Sequence, residues 1–537
     1  MTPDHIRTAR RALPTVTATL AAVAFLAVAP TGADLPAALF RTDLFRAEGL
    51  GVWNNWWYGG QYVLAYGVLF SPLAALASAQ LVAALACVAT AAAFEALCHR
   101  ALGDTAWVAS TWLGAATVTN LLSGRLSFAL GLSGTALVAL LLQRRIGWAA
   151  AGVAILTALT SPVAAVFAAL AGLSAALTGT GRLRSGVIVA ISSLTPMIML
   201  EMAFPDGGIQ PFASGTFWPL VVAGAGVCVW VFVRGAAQRG GALSDPVTRT
   251  IFIATALYLA GCTASFTLPT PLGSNAARLG DLVAGPVAAL LLVPTRQWRW
   301  LVLAALPLSY LQVHSAVGDL QKGWRAPYDS AAYYRPLIAF LKAQPGARER
   351  LWRVEVPFTA GHWEAYRLAL VVPLARGWER QTDIADDPLF YHGKLTAARY
   401  HHWLQTLAVR YVAVADAPVD YAAAAELDLI RARPTYLRVV AHLRHWTVYA
   451  VRDPTPIASG AAQLTALGPD WMTFNVRRTG NTLVRVRYSP YWQLAGVPGC
   501  VRRHGDFTEL TTTATGKGTV TLSFAPGRIG ASSPRCN

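Results

Sequence analysis

Charge is what this sequence is short of. Only 13% of its 537 residues are Asp, Glu, Lys or Arg, against 55% hydrophobic residues and a mean hydropathy of +0.43. That balance excludes a soluble globule and puts much of the chain in lipid. Cysteine and methionine are scarce as well, at six and five, and no CxxC pair or metal-ligand spacing occurs. The P-loop, the GxSxG elbow, HExxH and the dinucleotide fingerprint are all missing, so soluble-cofactor chemistry has no support. A formal charge of +17 does not mark a nucleic-acid binder, because in a membrane chain arginines gather in the loops on one side of the bilayer. No nucleic-acid partner is expected.

What is present is a series of apolar stretches of about 17 to 22 residues, each long enough to cross a hydrocarbon core of about 30 Å as a helix. About eleven are expected, near 14–33, 79–97, 104–122, 126–142, 146–160, 162–178, 185–203, 216–234, 249–267, 279–295 and 299–317. Thr160-Ser161-Pro162 marks either the turn of a hairpin of two short helices or a kink in one long helix. Arg7, Arg10, Arg11, Arg100, Arg144, Arg145, Arg182 and Arg184 fall in one set of connections. The opposite set has few arginines, among them Arg125 and Arg278. The positive-inside rule then places the N-terminus in the cytoplasm and the C-terminal tail outside an inner (plasma) membrane. The first stretch is expected to stay as an anchor rather than to be cleaved as a leader.

After Gly318 the apolar blocks stop and the texture becomes that of a soluble domain. We therefore divide the chain into a transmembrane domain, 1–317, an α/β subdomain, 318–455, and a β-rich subdomain, 456–537. Helical spacing in 328–343 and 422–430, strand-like runs at 351–358 and 445–451, and a helix running into a buried strand across 400–414 alternate along this stretch, which predicts a small α/β unit. From Trp471 onward, WMTFNVRR, NTLVRVRYSPYW, DFTELTTTA and GTVTLSFAP alternate with turn residues, the pattern of an antiparallel sandwich or small barrel. Cys500 and Cys536 lie in this outer tail, where oxidation favours a disulfide.

Candidate chemistry concentrates in the long segment after the first span, 34–70. Asp43, with Glu48 as a second choice, is placed where a carboxylate can take a proton from an acceptor hydroxyl. Trp53, Asn54, Asn55, Trp57, Tyr58 and Gln61 combine rings with amides that suit sugar hydroxyls, although interfacial anchoring explains the aromatics too. Arg125 and Arg278 sit beside apolar helix, where a charge is expensive and usually functional, and guanidinium forks suit a phosphate. A pair between Arg278 and Asp281, or with Glu201, is the plain alternative. In the tail, His362, Glu364, Arg376 and Arg380 either line an acceptor site or form a salt-bridged seam. His401 and His402 have no second ligand pair and are expected to be structural.

These features together resemble the GT-C superfamily of integral-membrane glycosyltransferases. WNNWWYGGQ, GRLSF, SNAARL, HWEAYR, ARGWERQTD and SPYW are also similar to a family of actinobacterial multi-pass membrane proteins. The superfamily resemblance implies inverting transfer of a sugar from a polyprenyl-phosphate donor to an extracytoplasmic envelope glycan or lipid, with a first-loop carboxylate as base. Asp43 is the residue we map onto that role. The paired Asp-Asp or Asp-x-Asp of better-known members is missing, so a divalent metal has no motif behind it, and no other cofactor is implied beyond the lipid-linked donor. Two further classes remain open at this point, a transporter or flippase of a lipid-linked or small substrate and a non-catalytic envelope scaffold.

Overall fold

The computed structural model describes residues 3–64, 67–179, 181–205, 207–236, 241, 243–324, 326–391 and 393–537. The chain falls into two compact units. One holds Met1–Ala38, Tyr66–Met199 and Ile209–Trp324; the other holds Leu39–Ala65, Leu200–Gly208 and Arg325–Asn537.

The first unit is helical: α1 (Pro3–Val28), the start of α2 (Leu35–Glu48), α3 (Phe70–Leu76), α4 (Ala79–Leu102), α5 (Trp107–Ala116), α6 (Val118–Leu122), α7 (Leu126–Gln143), α8 (Gly147–Thr160), α9 (Pro162–Leu177), α10 (Leu183–Ala203), α11 (Ser214–Ala236), α12 (Pro246–Thr267), α13 (Ala277–Leu292) and α14 (Trp298–Gly323). Eight stretches among the described residues are long and apolar enough to cross a membrane, accompanied by the shorter apolar α8 and α9. One of the eight, Ala79–Leu122, breaks at Gly103, whose φ is +61°. The Cys87 thiol, before that break, donates to the Thr117 carbonyl beyond it, so the chain doubles back there. All eleven positions read from hydropathy are therefore helical, and the protein is a multi-pass membrane protein.

The junction at 160–162 resolves as a hairpin. Ser161 is extended, with φ −155° and ψ 117°, and its hydroxyl accepts from Ala164 N as Pro162 opens the next helix. Ala150 and Ala154, in the first half of α8, share a cluster with Ala175 near the end of α9, so the two helices run antiparallel. With 14 and 16 residues they reach only about 21 and 24 Å, less than the ~30 Å hydrocarbon core. Leu69 N donates to Leu159 O over the tip. Alanine-rich faces let these helices pack closely, as small residues do in membranes.

The second unit begins with the rest of α2 and a short ribbon, β1 (Trp53–Asn54) against β2 (Gln61–Tyr62). A four-stranded sheet follows, built from β3 (Arg353–Glu355), β4 (Val409–Ala415), β5 (Leu437–Leu443) and β6 (Trp446–Val451) in the order β3-β4-β6-β5. Only the β3–β4 pair is parallel. Its helices are α15 (Ala331–Lys342), α16 (Glu364–Arg367), α17 (Arg380–Asp386), α18 (Ala397–Thr406) and α19 (Tyr421–Arg431). Tyr400, Leu404, Val409, Val412 and Ile430 form its core.

The remaining strands are β7 (Ala458–Gly460), β8 (Ala462–Leu467), β9 (Trp471–Val476), β10 (Gly480–Arg487), β11 (Trp492–Ala495), β12 (Gly499–His504), β13 (Phe507–Thr512), β14 (Gly516–Leu522) and β15 (Arg535–Cys536). They make two antiparallel sheets, β15-β12-β13-β10-β7 and β11-β14-β9-β8. Met472, Phe474 and Val476 point inward from one sheet and Thr482, Val484 and Val486 from the other, the alternation of a sandwich. Cys500 and Cys536 pair across β12 and β15 and are joined as a disulfide. This is the architecture expected from the sequence: a polytopic helical domain with an α/β and β-sandwich C-terminal region. The compact units divide the chain differently from its texture, because the loop 39–65 and the segment 200–208 belong with the tail.

Candidate functional site

The first unit brings Asp34, Arg125 and Arg278 together in one place. The turn after α1 packs against the turn before α7, and Asp34 N donates to Ser123 O at 3.1 Å. Two glycines permit this approach. A Cβ on Gly32 would lie 2.3 Å from Leu122 O, and one on Gly124, whose φ is +78°, would lie 2.3 Å from Leu35 N. The backbone contact delivers Asp34 to Arg125 and Arg278. Asp34 Oδ2 lies 3.6 Å from Arg125 Nε and 4.0 Å from Arg278 Nη2.

The two arginines are held from the far side. Arg125 Nη2 donates to Ser315 Oγ at 3.1 Å, and the Arg278 guanidinium lies 5.4 Å from the centre of the Phe128 ring. Asp281 and Asp319 interact electrostatically with Arg125. Arg125 and Arg278 thus share one carboxylate, Asp34, which comes from a different part of the chain. Glu201 belongs to the other unit. The Asp34 side chain is 41% exposed while those of Arg125 and Arg278 are 23% and 14%. Arg125 Nε is buried and makes no hydrogen bond among the described residues. Two arginines beside one half-open carboxylate form a setting that an anion can enter, because each guanidinium can turn a fork of N–H groups toward phosphate oxygens.

Asp43 lies in the other unit, on α2. Its Oδ1 pairs with Arg46 at 2.8 Å and its Oδ2 accepts from Tyr366 OH at 2.7 Å. Burial, followed by this bond to Asp43, raises the Tyr366 phenol to about 12. Glu48 is exposed at the end of α2 and interacts with Arg350.

Trp53 to Gln61 require a correction. The side chains of Trp53, Asn54, Asn55, Trp57, Tyr58 and Gln61 are all buried, from 0 to 4% exposed, and apart from Gln61 Oε1, which makes no hydrogen bond among the described residues, most polar groups are bound within the unit. Trp53 Nε1 donates to Asn55 Oδ1, Asn55 Nδ2 to Gly468 O, and Trp57 Nε1 to Ala365 O. Asn54 Oδ1 accepts from Trp56 N, and Tyr58 OH from Glu379 N. Gln61 Nε2 reaches Glu379 Oε1 at 3.5 Å. Trp57 also stacks on Phe40 at 4.0 Å. The segment is neither a sugar-binding face nor an interfacial belt; it is a core plug that pins the loop into the second unit. Asn54 and Asn55 are spent on a local turn and a long-range backbone bond, and Gln61 on its approach to Glu379.

Of the two readings of the tail residues, the ion pairs favour the salt-bridged one. Arg376 makes a bidentate pair with Asp383 at 2.9 and 2.7 Å and reaches Glu426 at 3.3 Å and Glu355 at 3.7 Å. Its guanidinium lies between the rings of Phe358 and Phe390, 3.8 and 3.9 Å from their centres. Arg380 binds both oxygens of Asp420. His362 stacks on Trp378 and its Nε2 lies 3.5 Å from the same Asp420. Glu364 accepts from the amide and hydroxyl of Thr359. These are internal struts, which leaves none of their charge for an acceptor.

So many acids around one guanidinium cannot all ionise. Burial and the neighbouring Glu426 carboxyl push Glu355 well up, and burial raises Glu426 to about 7 and Glu364 to about 8. Asp420 moves the other way: burial would raise it, but His362 and Arg380 hold it below the usual carboxylate range. Among the described residues no group of three or more His, Cys, Asp or Glu side chains is placed to hold a metal.

No family model matches this chain, and no curated protein does. Solved structures similar to it include the following two. The cryo-EM structure of the arabinofuranosyltransferase AftD from Mycobacteria is 14% identical, over 98% of this chain and 59% of that one, with a TM-score of 0.46. The crystal structure of ArnT from Cupriavidus metallidurans in the apo state is 15% identical, over 80% and 97%, with a TM-score of 0.40. The chain thus spans 59% of the length of the first.

Proposed function

We propose that this protein is a membrane glycosyltransferase that moves a sugar from a polyprenyl-phosphate donor to an extracytoplasmic acceptor of the cell envelope. The observation that carries this reading is Asp34 set against Arg125 and Arg278 at the ends of apolar helices. Charges at such a position are costly unless they serve a substrate. The donor phosphate takes the guanidinium forks of Arg125 and Arg278, displacing Asp34 as their counter-ion. The freed carboxylate then accepts the proton of the acceptor hydroxyl as that oxygen attacks the anomeric carbon, and the polyprenyl phosphate leaves with the bonding electrons while the arginines carry its charge. Asp34 is a better base than Asp43 on geometry, since both Asp43 oxygens are already engaged by Arg46 and Tyr366. A flippase or scaffold would need the arginines without the transfer step.

Purified full-length protein in proteoliposomes, offered a panel of polyprenyl-phosphate sugars and envelope glycan acceptors, tests the reading through release of polyprenyl phosphate. Asp34→Asn is expected to lower the rate at least ~100-fold, in the range a general base supplies, with donor binding kept. Arg125→Gln is expected to weaken donor binding itself. Equal turnover by wild type and Asp34→Asn contradicts the assignment.

A further inference from the structure

The opposite end of the same helical unit carries a second concentration of arginines, which the transfer reaction does not use. α7 has Arg125 at its start and Arg144 and Arg145 just past its end. Its 18 residues separate the two clusters by about 27 Å. At this second end three connections are tied together by side-chain to backbone bonds. Arg182, just before α10, donates from Nη2 to Gln143 O at 3.3 Å, and Gln143 Nε2 donates to Leu97 O in α4 at 3.0 Å. Gly147 and Ser185 touch there as well, with a Cβ on Gly147 falling 2.9 Å from the Ser185 Cβ. Arg100, at the end of α4, and Arg145 are exposed.

Burial first, and then the charges of Arg145 and Arg100, push the Arg182 guanidinium down. The three cations therefore share one electrostatic neighbourhood. Trp148, 83% exposed, stands three residues beyond Arg145, as an indole at the headgroup level does.

We propose that Arg100, Arg145 and Arg182 form a binding site for the phosphate of an anionic lipid headgroup on the arginine-rich side of the membrane. The positive-inside rule asks only that arginines lie somewhere in these connections. It does not ask that three connections be tied to one another by side-chain to backbone bonds. Helix ends place the cluster at headgroup depth, where basic pockets between membrane helices hold anionic lipids. This inference is independent of the proposed transfer reaction.

The test is native mass spectrometry of the full chain released from mixed phosphatidylcholine and phosphatidylglycerol bilayers. Wild type is expected to retain phosphatidylglycerol at least ten-fold over phosphatidylcholine. The triple variant Arg100→Gln/Arg145→Gln/Arg182→Gln should lose that preference, and the exposed single variant Arg100→Gln, which removes no described hydrogen bond, should reduce it several-fold. Arg296→Gln/Arg299→Gln removes two charges from another connection and should leave the preference intact. Retention of the preference by the triple variant, or its equal loss in the Arg296/Arg299 control, overturns the site.

Discussion

Gly124 and Asp34 show how little side-chain volume the charged cluster tolerates. Gly124→Ala would place a methyl group 2.3 Å from Leu35 N at a φ of +78°, a conformation and a contact that an L side chain both resist. We expect a loss of about 2 kcal/mol or more, from backbone strain and the forced separation of the two turns. Thermal unfolding in detergent measures it, and the variant should also bind donor less well because Arg125 moves with its turn. Asp43→Asn keeps the bond from Tyr366 and gives up only a partly exposed pair with Arg46, worth about 0–1 kcal/mol. Asp34 was not singled out by sequence reasoning, although a signal existed: an acid directly past the first span, in a protein with two stray arginines on the same side. The pairing itself was not legible, since Asp34, Arg125 and Arg278 come from three distant parts of the chain and only the tertiary fold brings them together.

At the scale of elements, the plug formed by β1, β2 and their loop does for the second unit what a central helix does elsewhere. Trp57 is fully buried between Phe40 and the loop at Gly377. Trp57→Ala should cost about 3–5 kcal/mol, the range for a core aromatic, with the loss seen as a lower unfolding temperature. Hydropathy alone predicted the helices of the first unit well, because an apolar stretch in lipid has one way to satisfy its backbone. The tail strands at 353–355, 409–415, 446–451 and 471–476 were legible from β-branched and aromatic alternation. Strands such as Leu437–Leu443 and Gly499–His504 were not read, since exposed arginine and histidine interrupt their pattern. The amide-rich plug misled for a different reason: Asn and Gln look the same in a sequence whether they bond a sugar or a carbonyl.

Across the whole molecule, buried acids make stability depend on pH. Glu364 and Glu426 have folded-state values of about 8 and 7, above the ordinary 4.5. The folded state therefore holds protons that the unfolded chain has released, so their contribution is full below about pH 4.5 and is lost as pH rises through 7 and 8. Asp420, held low, acts in the opposite sense, but only in acid. Unfolding of the tail-containing unit should thus come at lower temperature at pH 8.5 than at pH 6. Glu364→Gln, which stays neutral, should flatten that slope; an unchanged slope would contradict the protonation assigned to it.

The central claim is sugar transfer at the Asp34 cluster. Its most direct test is the glycan composition of the envelope in a strain lacking the gene, complemented with wild type, Asp34→Asn or Asp43→Asn, with membrane levels of the three proteins matched. The account predicts that one sugar or linkage disappears in the deletion strain, returns with wild type and with Asp43→Asn, and stays missing with Asp34→Asn. Restoration by Asp34→Asn to the wild-type level would contradict it.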